Sequence, residues 1–139
     1  MNHFKKADSM QVKIPRLYQV NYAYLVANKR FDEAEFVYGR AIEAFKGLQN
    51  SYYFEMELAT LLIKREKYYD AIELLESSKK KYPGNADICF SIGYANQMLG
   101  NNYDAISNYR LALTYDSKHK NSLEMLEHIN EKNNNVNLK

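Results

Sequence analysis

The sequence predicts an all-α protein built from a tandem array of helical hairpins. An alanine directly preceded by an acidic residue recurs as Ala34, Ala71 and Ala105, at intervals of 37 and 34 residues. Apolar residues upstream of the second and third alanines follow helical spacing, and polar or helix-breaking residues separate these runs. A period of this size with a 3.6-residue hydrophobic pattern indicates a repeat architecture of helices.

Each repeat is expected to contain two amphipathic helices joined by a short polar turn. The predicted turns are Asn28-Lys29-Arg30, Arg65-Glu66-Lys67 and Gly100-Asn101. The segment Tyr82-Pro83-Gly84-Asn85 separates the second and third repeats, because Pro ends a helix and Gly-Asn favours a turn. The first junction carries three extra residues, which we place within 46–50.

The periodic positions suit close packing of helices. The small residues Ala34, Ala71 and Ala105 let the two helices of a hairpin approach, and Gly93 does the same on the opposite helix of repeat three. Four and seven positions after each alanine the sequence places a large apolar residue and then a small one: Tyr38 and Ala41, Leu75 and Ser78, Tyr109 and Ala112. A lone hairpin cannot bury its apolar side, so stacked repeats supply the core.

These residues resemble the tetratricopeptide repeat (TPR). Repeat three matches the family in full register through Gly93, Gly100, Ala105, Tyr109 and Ala112. Repeat two matches through Leu58, Ala59, Tyr68, Ala71, Ser78 and Pro83, and repeat one through Leu25, Phe31, Ala34, Tyr38 and Ala41. The departures are Tyr22, where the family has a small residue, Glu55 and Cys89, where it has an aromatic, and the lack of a closing proline outside Pro83.

The resemblance implies a solenoid of helical hairpins that forms a right-handed superhelix of about seven helices. We expect repeats at about 15–48, 52–85 and 86–119, with a capping helix at 120–132 that carries Leu123, Leu126 and Ile129. Residues 1–13 are expected to form a flexible segment and 133–139 a disordered tail, because the last residues are a polar run with little to bury.

The composition excludes several classes of function. A formal net charge of +2 is too weak a bias for nucleic-acid or membrane partners, and no apolar run approaches the ~20 residues of a membrane span. The single cysteine, Cys89, and a start without an apolar signal segment favour the cytoplasm. Cys89 is expected to be a buried structural thiol. The run Lys79-Lys80-Lys81 is expected to be a solvated helix end.

The residues that carry chemistry form no catalytic pattern in the sequence, so we expect no enzyme activity, no cofactor and no metal. There is no glycine-rich phosphate loop, no His-Glu-x-x-His, no Cys-x-x-Cys and no nucleophile elbow. His119 and His128 are nine positions apart, which does not suit a shared metal, and both are expected on the solvated surface.

The resemblance also implies a concave groove lined by the first helix of each repeat. Carried onto this sequence, the groove-lining positions are Arg16, Gln19, Val20, Ala23 and Ala27; Tyr53, Met56, Glu57, Thr60 and Lys64; and Asp87, Phe90, Ser91, Tyr94 and Met98. Rings and methionines suit apolar anchors of a ligand, and Glu57 and Asp87 suit a basic side chain.

The clamp by which TPR domains grip the carboxylate tail of heat-shock chaperones is absent. The family uses Lys, Asn, Asn, Lys and Arg there, and the matching positions hold Gln19, Ala23, Glu57, Asp87 and Ser91. Two acidic residues would repel a carboxylate, so we expect no binding to such tails.

We therefore expect a protein-interaction adaptor that binds a peptide or helix of a partner protein. Three alternatives stay open: a dedicated chaperone for a secreted or assembled client, a self-associating scaffold, and an RNA-binding helical repeat. Self-association is suggested by the apolar first helix, which carries Leu17, Val20 and Tyr24 besides its core residues. The near-neutral charge disfavours RNA.

Overall fold

The computed structural model describes the backbone of residues 2–48 and 50–137, and the side chains of residues 15–48 and 51–133. These residues form seven helices and no strand, which confirms the all-α prediction: α1 Asn2–Ala27, α2 Phe31–Ala44, α3 Asn50–Lys64, α4 Tyr68–Lys81, α5 Ala86–Met98, α6 Asn102–Tyr115 and α7 Lys120–Asn137. The chain divides into two compact units, Met1–Leu61 (unit 1) and Leu62–Lys139 (unit 2).

The three hairpin turns share one backbone geometry. Lys29, Glu66 and Gly100 occupy equivalent turn positions and have φ angles of 59°, 62° and 83°. In each turn the next amide closes a bond of 2.8 Å to the carbonyl five residues earlier, as in Arg30 to Leu25. This is the Schellman ending of a helix, which favours glycine because a side chain strains the left-handed backbone.

The second helix of each hairpin begins with a favourable charge. Asp32, Asp70 and Asp104 lie in the first turns of α2, α4 and α6, where the amide groups of the helix terminus carry a partial positive charge. Lys79, Lys80 and Lys81 lie in the last turn of α4, as predicted. An acidic residue one or two positions before the buried alanine therefore stabilises the N-terminus of the second helix in each repeat.

The periodic positions form the core, as the sequence predicted. All three alanines, the large residues four positions later and the small residues seven positions later are fully buried: Ala34, Tyr38, Ala41, Ala71, Leu75, Ser78, Ala105, Tyr109 and Ala112. These residues lie on one side of α2, α4 and α6, and removal of their apolar surface from water stabilises the hairpins.

Unit 1 has an aromatic core. Phe54 of α3 packs edge-on against Tyr38 of α2 and stacks with Phe45, with ring centroids 5.0 and 5.5 Å apart. Tyr22, which replaces the small residue of the family, is buried and stacks on Tyr38 with centroids 3.6 Å apart and an angle of 7° between the rings. The extra ring is accommodated as a flat layer on the ring that it faces.

Unit 2 closes by a different contact at the same repeat position. A Cβ atom added to Gly93 would lie 2.8 Å from the Tyr109 ring and 3.1 Å from the Ala105 carbonyl oxygen. The Tyr109 ring therefore lies directly on the bare backbone of α5, and its hydroxyl donates a hydrogen bond of 2.6 Å to the Gln97 side chain. α7 covers this contact, since Ile129 joins Ala105 and Tyr109 in one buried cluster.

The helix bounds differ from the predicted segments at three places. α1 begins at Asn2, so its backbone includes the predicted flexible residues, and Pro15 lies inside it. α7 continues to Asn137, five residues past the predicted end at 132, and residues 138–139 of the predicted tail lie outside the described residues. α3 begins at Asn50, so part of the three-residue insertion extends this helix.

Three glycine substitutions separate three physical effects. We expect Gly93→Ala to destabilise the protein by roughly 1–3 kcal/mol, because the Tyr109 ring has to move. Gly100→Ala meets no neighbour but is strained at its positive φ, and should cost about 1–2 kcal/mol. Gly39→Ala in α2 meets nothing and should stabilise by about 0.5–1 kcal/mol. Urea unfolding midpoints measure all three, and a neutral Gly93→Ala would contradict the close packing.

Candidate functional site

The predicted binding residues of unit 1 lie on the first helices of its hairpins. Six of these positions are called the α1/α3 face: Gln19, Ala23, Tyr53, Met56, Glu57 and Thr60. The other groove-lining positions predicted on α1, Arg16, Val20 and Ala27, are exposed and lie outside this face. Each of the six is partly or fully exposed, and the Tyr53 side chain is 46% exposed. The residues that alternate with them, Phe54, Leu58 and Ala59, are buried. α3 thus buries one side and leaves the predicted side open.

A hydrogen bond ties the two helices of this face together. The Tyr22 hydroxyl donates to the backbone carbonyl of Glu57 at 3.3 Å. Tyr53 and Glu57 are four residues apart on α3, so their side chains lie on adjacent turns of one side. The face therefore carries the exposed ring of Tyr53 and the carboxylate of Glu57, and the phenol of Tyr22 lies next to it.

The electrostatics of the α1/α3 face favour positive charge. Burial, and then the negative charge of Glu57, raise the pKa of Tyr22 to about 12. Burial also raises the pKa of Tyr38 above its ordinary value, followed by the Tyr53 side chain and then by the negative charge of Glu57. Both phenols remain neutral in the folded protein far into the alkaline range, chiefly because they are buried, and the charge of Glu57 adds a negative potential that would attract a cation.

The predicted binding residues of unit 2 lie on α5. We call them the α5 face: Asp87, Phe90, Ser91, Tyr94 and Met98. Asp87 and Met98 are exposed, and Ser91 and Tyr94 are half-buried. Phe90 has a different role, because it packs against the buried cluster of Ala105, Tyr109 and Ile129. Its ring lies 5.6 Å from the Tyr109 ring, so Phe90 is chiefly a core residue of unit 2.

His119 was predicted on the solvated surface, and this prediction is wrong. Its residue exposure is 9%, and its Nε2 atom lies 2.8 Å from Asp87 Oδ1. The amide of Ser122 donates to His119 Nδ1 at 3.3 Å, and the amide of Leu123 donates to its carbonyl oxygen. His119 is therefore the N-cap of α7 and joins that helix to α5. His128 is exposed, as predicted.

The hydrogen bonds assign the tautomer of His119. Because Nδ1 accepts from the Ser122 amide, the ring proton of the neutral imidazole is on Nε2 and is donated to Asp87. The sequence signal was present but short: His119 lies directly before a helical run with no Ser, Thr, Asp or Asn in the cap position. The partner, Asp87, is 32 residues away and only the fold brings it close.

Asp87, His119 and Ser122 form a chain of contacts with the composition of a hydrolase triad. Ser122 Oγ is 2.9 Å from His119 Nδ1. However, Ser122 is fully buried, so no substrate atom can reach its hydroxyl. The same nitrogen already accepts the Ser122 amide, which is the role of a helix cap. The arrangement stabilises α7 and does not form an exposed nucleophile.

The remaining reactive groups are structural within the described part of the chain. Cys89 is fully buried, as predicted, and burial raises the pKa of its thiol against the opposing charge of Lys79. Across residues 15–48 and 51–133, no three His, Cys, Asp or Glu side chains lie together in a way that would hold a metal ion. No helix in the described residues is long and apolar enough to cross a membrane.

The raised pKa of Tyr22 predicts a pH dependence of stability. The native state holds this proton more tightly than the unfolded chain, so the contribution is fully present below pH ~10 and is lost as the pH rises through about 12. Tyr22→Phe should therefore flatten the alkaline fall of the urea midpoint over this window. Equal slopes for the two proteins would show that Tyr22 titrates alike in both states.

The capping role of His119 has a matched control on the same helix. His119→Ala removes the cap of α7 and the bond to Asp87, and should lower the free energy of unfolding by about 1–2 kcal/mol. His128→Ala changes an exposed residue and should stay within ~0.5 kcal/mol of the parent. Urea denaturation gives both values. Equal effects would mean that the contacts of His119 contribute nothing to stability.

Comparisons with known proteins agree with this architecture. The Hsp90 co-chaperone Cns1 from Saccharomyces cerevisiae has a TM-score of 0.78 at 20% identity, over 91% of this chain and 41% of that chain. The C-terminal TPR-containing domain of a Plasmodium falciparum FK506-binding protein has a TM-score of 0.67 at 18% identity, over 95% of this chain and 96% of that one. The C. elegans myosin chaperone UNC-45, solved in complex with a Hsp90 peptide, has a TM-score of 0.66 at 18% identity, over 86% of this chain and 14% of that chain.

At these identities the structural likeness shows the fold, a TPR array, and this chain spans less than half the length of Cns1. No curated protein matches the sequence. The model of the family described as anaphase-promoting complex, cyclosome, subunit 3 matches residues 27–112, which include the fully buried repeat positions from Ala34 to Ala112. Since this match covers more than half of the sequence, the chain belongs to that family of tetratricopeptide-repeat proteins.

Proposed function

We propose that this chain is a non-catalytic protein-interaction module that binds a peptide or helix of a partner protein on the α1/α3 face and the α5 face. Its structural relatives support a protein-binding role in general, since one is a co-chaperone and another was solved with a peptide. The buried free thiol of Cys89 suits a reducing compartment, so we place this activity in the cytoplasm.

One observation supports these faces. α3 and α5 bury their other sides in their own units, yet leave rings and a methionine partly open at helical spacing. Tyr53 is 46% and Met98 49% exposed, and Tyr94 is half-buried. Tyr and Met offer large contact area with adaptable geometry, which is what peptide-binding surfaces use. Asp87 contributes less than the sequence suggested, because it is bonded to His119.

The faces are tested by tyrosine truncation with a matched control. Tyr53→Ala and Tyr94→Ala should each weaken capture of partner proteins from a lysate of the source cell by about tenfold, as expected for aromatic anchors. Tyr103→Ala removes an equally large ring that is 85% exposed on α6 and should capture the same proteins as the parent. Mass spectrometry compares the baits after circular dichroism has shown that each is folded.

Phe90 is unsuitable for this test because its truncation would open the core of unit 2. If Tyr53→Ala and Tyr94→Ala both retain every protein that the parent retains, the two faces are not the binding surface.

Self-association is a second candidate, favoured by the exposed apolar residues of α1. Leu17, Val20 and Tyr24 are 63%, 61% and 58% exposed, while Tyr22 and Leu25 of the same helix are buried. A helix that is apolar on both sides is usually covered on both. Light scattering at high concentration should then show a dimer that Val20→Glu returns to a monomer. A parent protein that stays monomeric would rule out this candidate.

A further inference from the structure

We propose that the α1/α3 face holds an arginine side chain of the partner, bound between the Glu57 carboxylate and the Tyr53 ring. This rests on the proposed function, because it names the chemistry of the residue that the face would recognise. The proposal comes from the charges and rings that surround Glu57 in unit 1.

Glu57 lacks a counter-ion within the part of the chain that the structure describes. Glu57 is half-buried, and apart from the backbone bonds of α3 its one hydrogen bond among the described residues is accepted by its backbone carbonyl from Tyr22, which leaves the carboxylate without a partner there. The other members of the face, Gln19, Ala23, Met56 and Thr60, carry no charge. Partial burial of an unpaired carboxylate is unfavourable, and an incoming cation would relieve it.

The rings around Glu57 suit a guanidinium in particular. The Tyr53 ring, one helical turn away, has almost half of its surface free. Tyr22 is buried, stacks on Tyr38 and bonds to the backbone of α3 at Glu57, so it joins α1 to α3 at this point. A guanidinium can stack on a ring while it donates two parallel hydrogen bonds to a carboxylate, whereas a lysine ammonium is a point charge.

A buried phenol also lies in this part of unit 1. Tyr38 is fully buried, and burial and the neighbouring Tyr53 side chain raise its pKa. The negative charge of Glu57 contributes to the raised pKa of Tyr38, as it does for Tyr22. Glu57 therefore sets a negative potential over a patch of rings, which favours a cation over an apolar or acidic anchor.

Selection from a display library tests the arginine site directly, because it needs no identified partner. The full chain, Glu57→Gln, Glu43→Gln and Tyr53→Ala would each select from one library of random 12-residue peptides. We expect the parent and Glu43→Gln, which loses the same charge at an exposed site on α2, to enrich peptides with arginine at one position. Glu57→Gln should enrich peptides without that arginine, and Tyr53→Ala should enrich few or none.

A selected peptide then gives the strength of the contact. Replacement of its arginine by glutamine should weaken binding to the parent by roughly 10–100-fold, as for a hydrogen bond to a charged group. The same replacement should change binding to Glu57→Gln by less than about threefold, since the pair is already broken. Replacement by lysine should lose most of the affinity, and added salt should weaken the parent complex more than the Glu57→Gln complex.

The outcomes separate the inference from the function on which it rests. Peptides enriched without a basic residue, yet lost by Tyr53→Ala, would overturn the arginine site and leave the peptide-binding function in place. Equal loss on arginine replacement in the parent and Glu57→Gln would also overturn the site. If the parent enriches no peptide, the proposed function fails and the inference fails with it.

Discussion

The close approach of two helices at a small residue is the constraint on which the α5–α6 hairpin depends. In unit 2 a Cβ atom added to Gly93 would lie only 2.8 Å from the Tyr109 ring, and Ala105 is fully buried. Any larger group at these positions would separate α5 from α6 and open the cluster that α7 covers. The capping helix α7 packs on this contact through Ile129.

Unit 1 meets the same constraint in another way, and the composition of the α1/α3 face is a consequence. Tyr22 stands where repeat three has Gly93, so a ring must fit where the backbone alone fits elsewhere. It does so by stacking on Tyr38 at 3.6 Å, and the stack carries its hydroxyl to the carbonyl of Glu57. A departure from the repeat pattern thus bonds a buried phenol to the backbone of Glu57, the residue that carries the one carboxylate of the α1/α3 face.

His119 shows how a structural contact changes the composition of a surface. Asp87 stands at an outward position of α5, yet its carboxylate accepts the Nε2 proton of His119 and so helps to anchor α7. The α5 face is left with Tyr94 and Met98 as its free contact groups, while Phe90 belongs mainly to the core. The two faces therefore differ: one is acidic and aromatic, and the other is mostly apolar.

The amino-acid sequence by itself determined the helices, the repeat phase and the buried alanines. These follow from local hydrophobic spacing and from the small side chain at one fixed position of each repeat. The positions of α3 and α5 expected to be open came from the resemblance to the family and not from the sequence by itself. The sequence did not determine that His119 would be buried, that Phe90 would join the core or that Tyr22 would stack flat on Tyr38. Those outcomes pair residues 32, 19 and 16 positions apart, and only the tertiary structure decides which side chains meet across such distances.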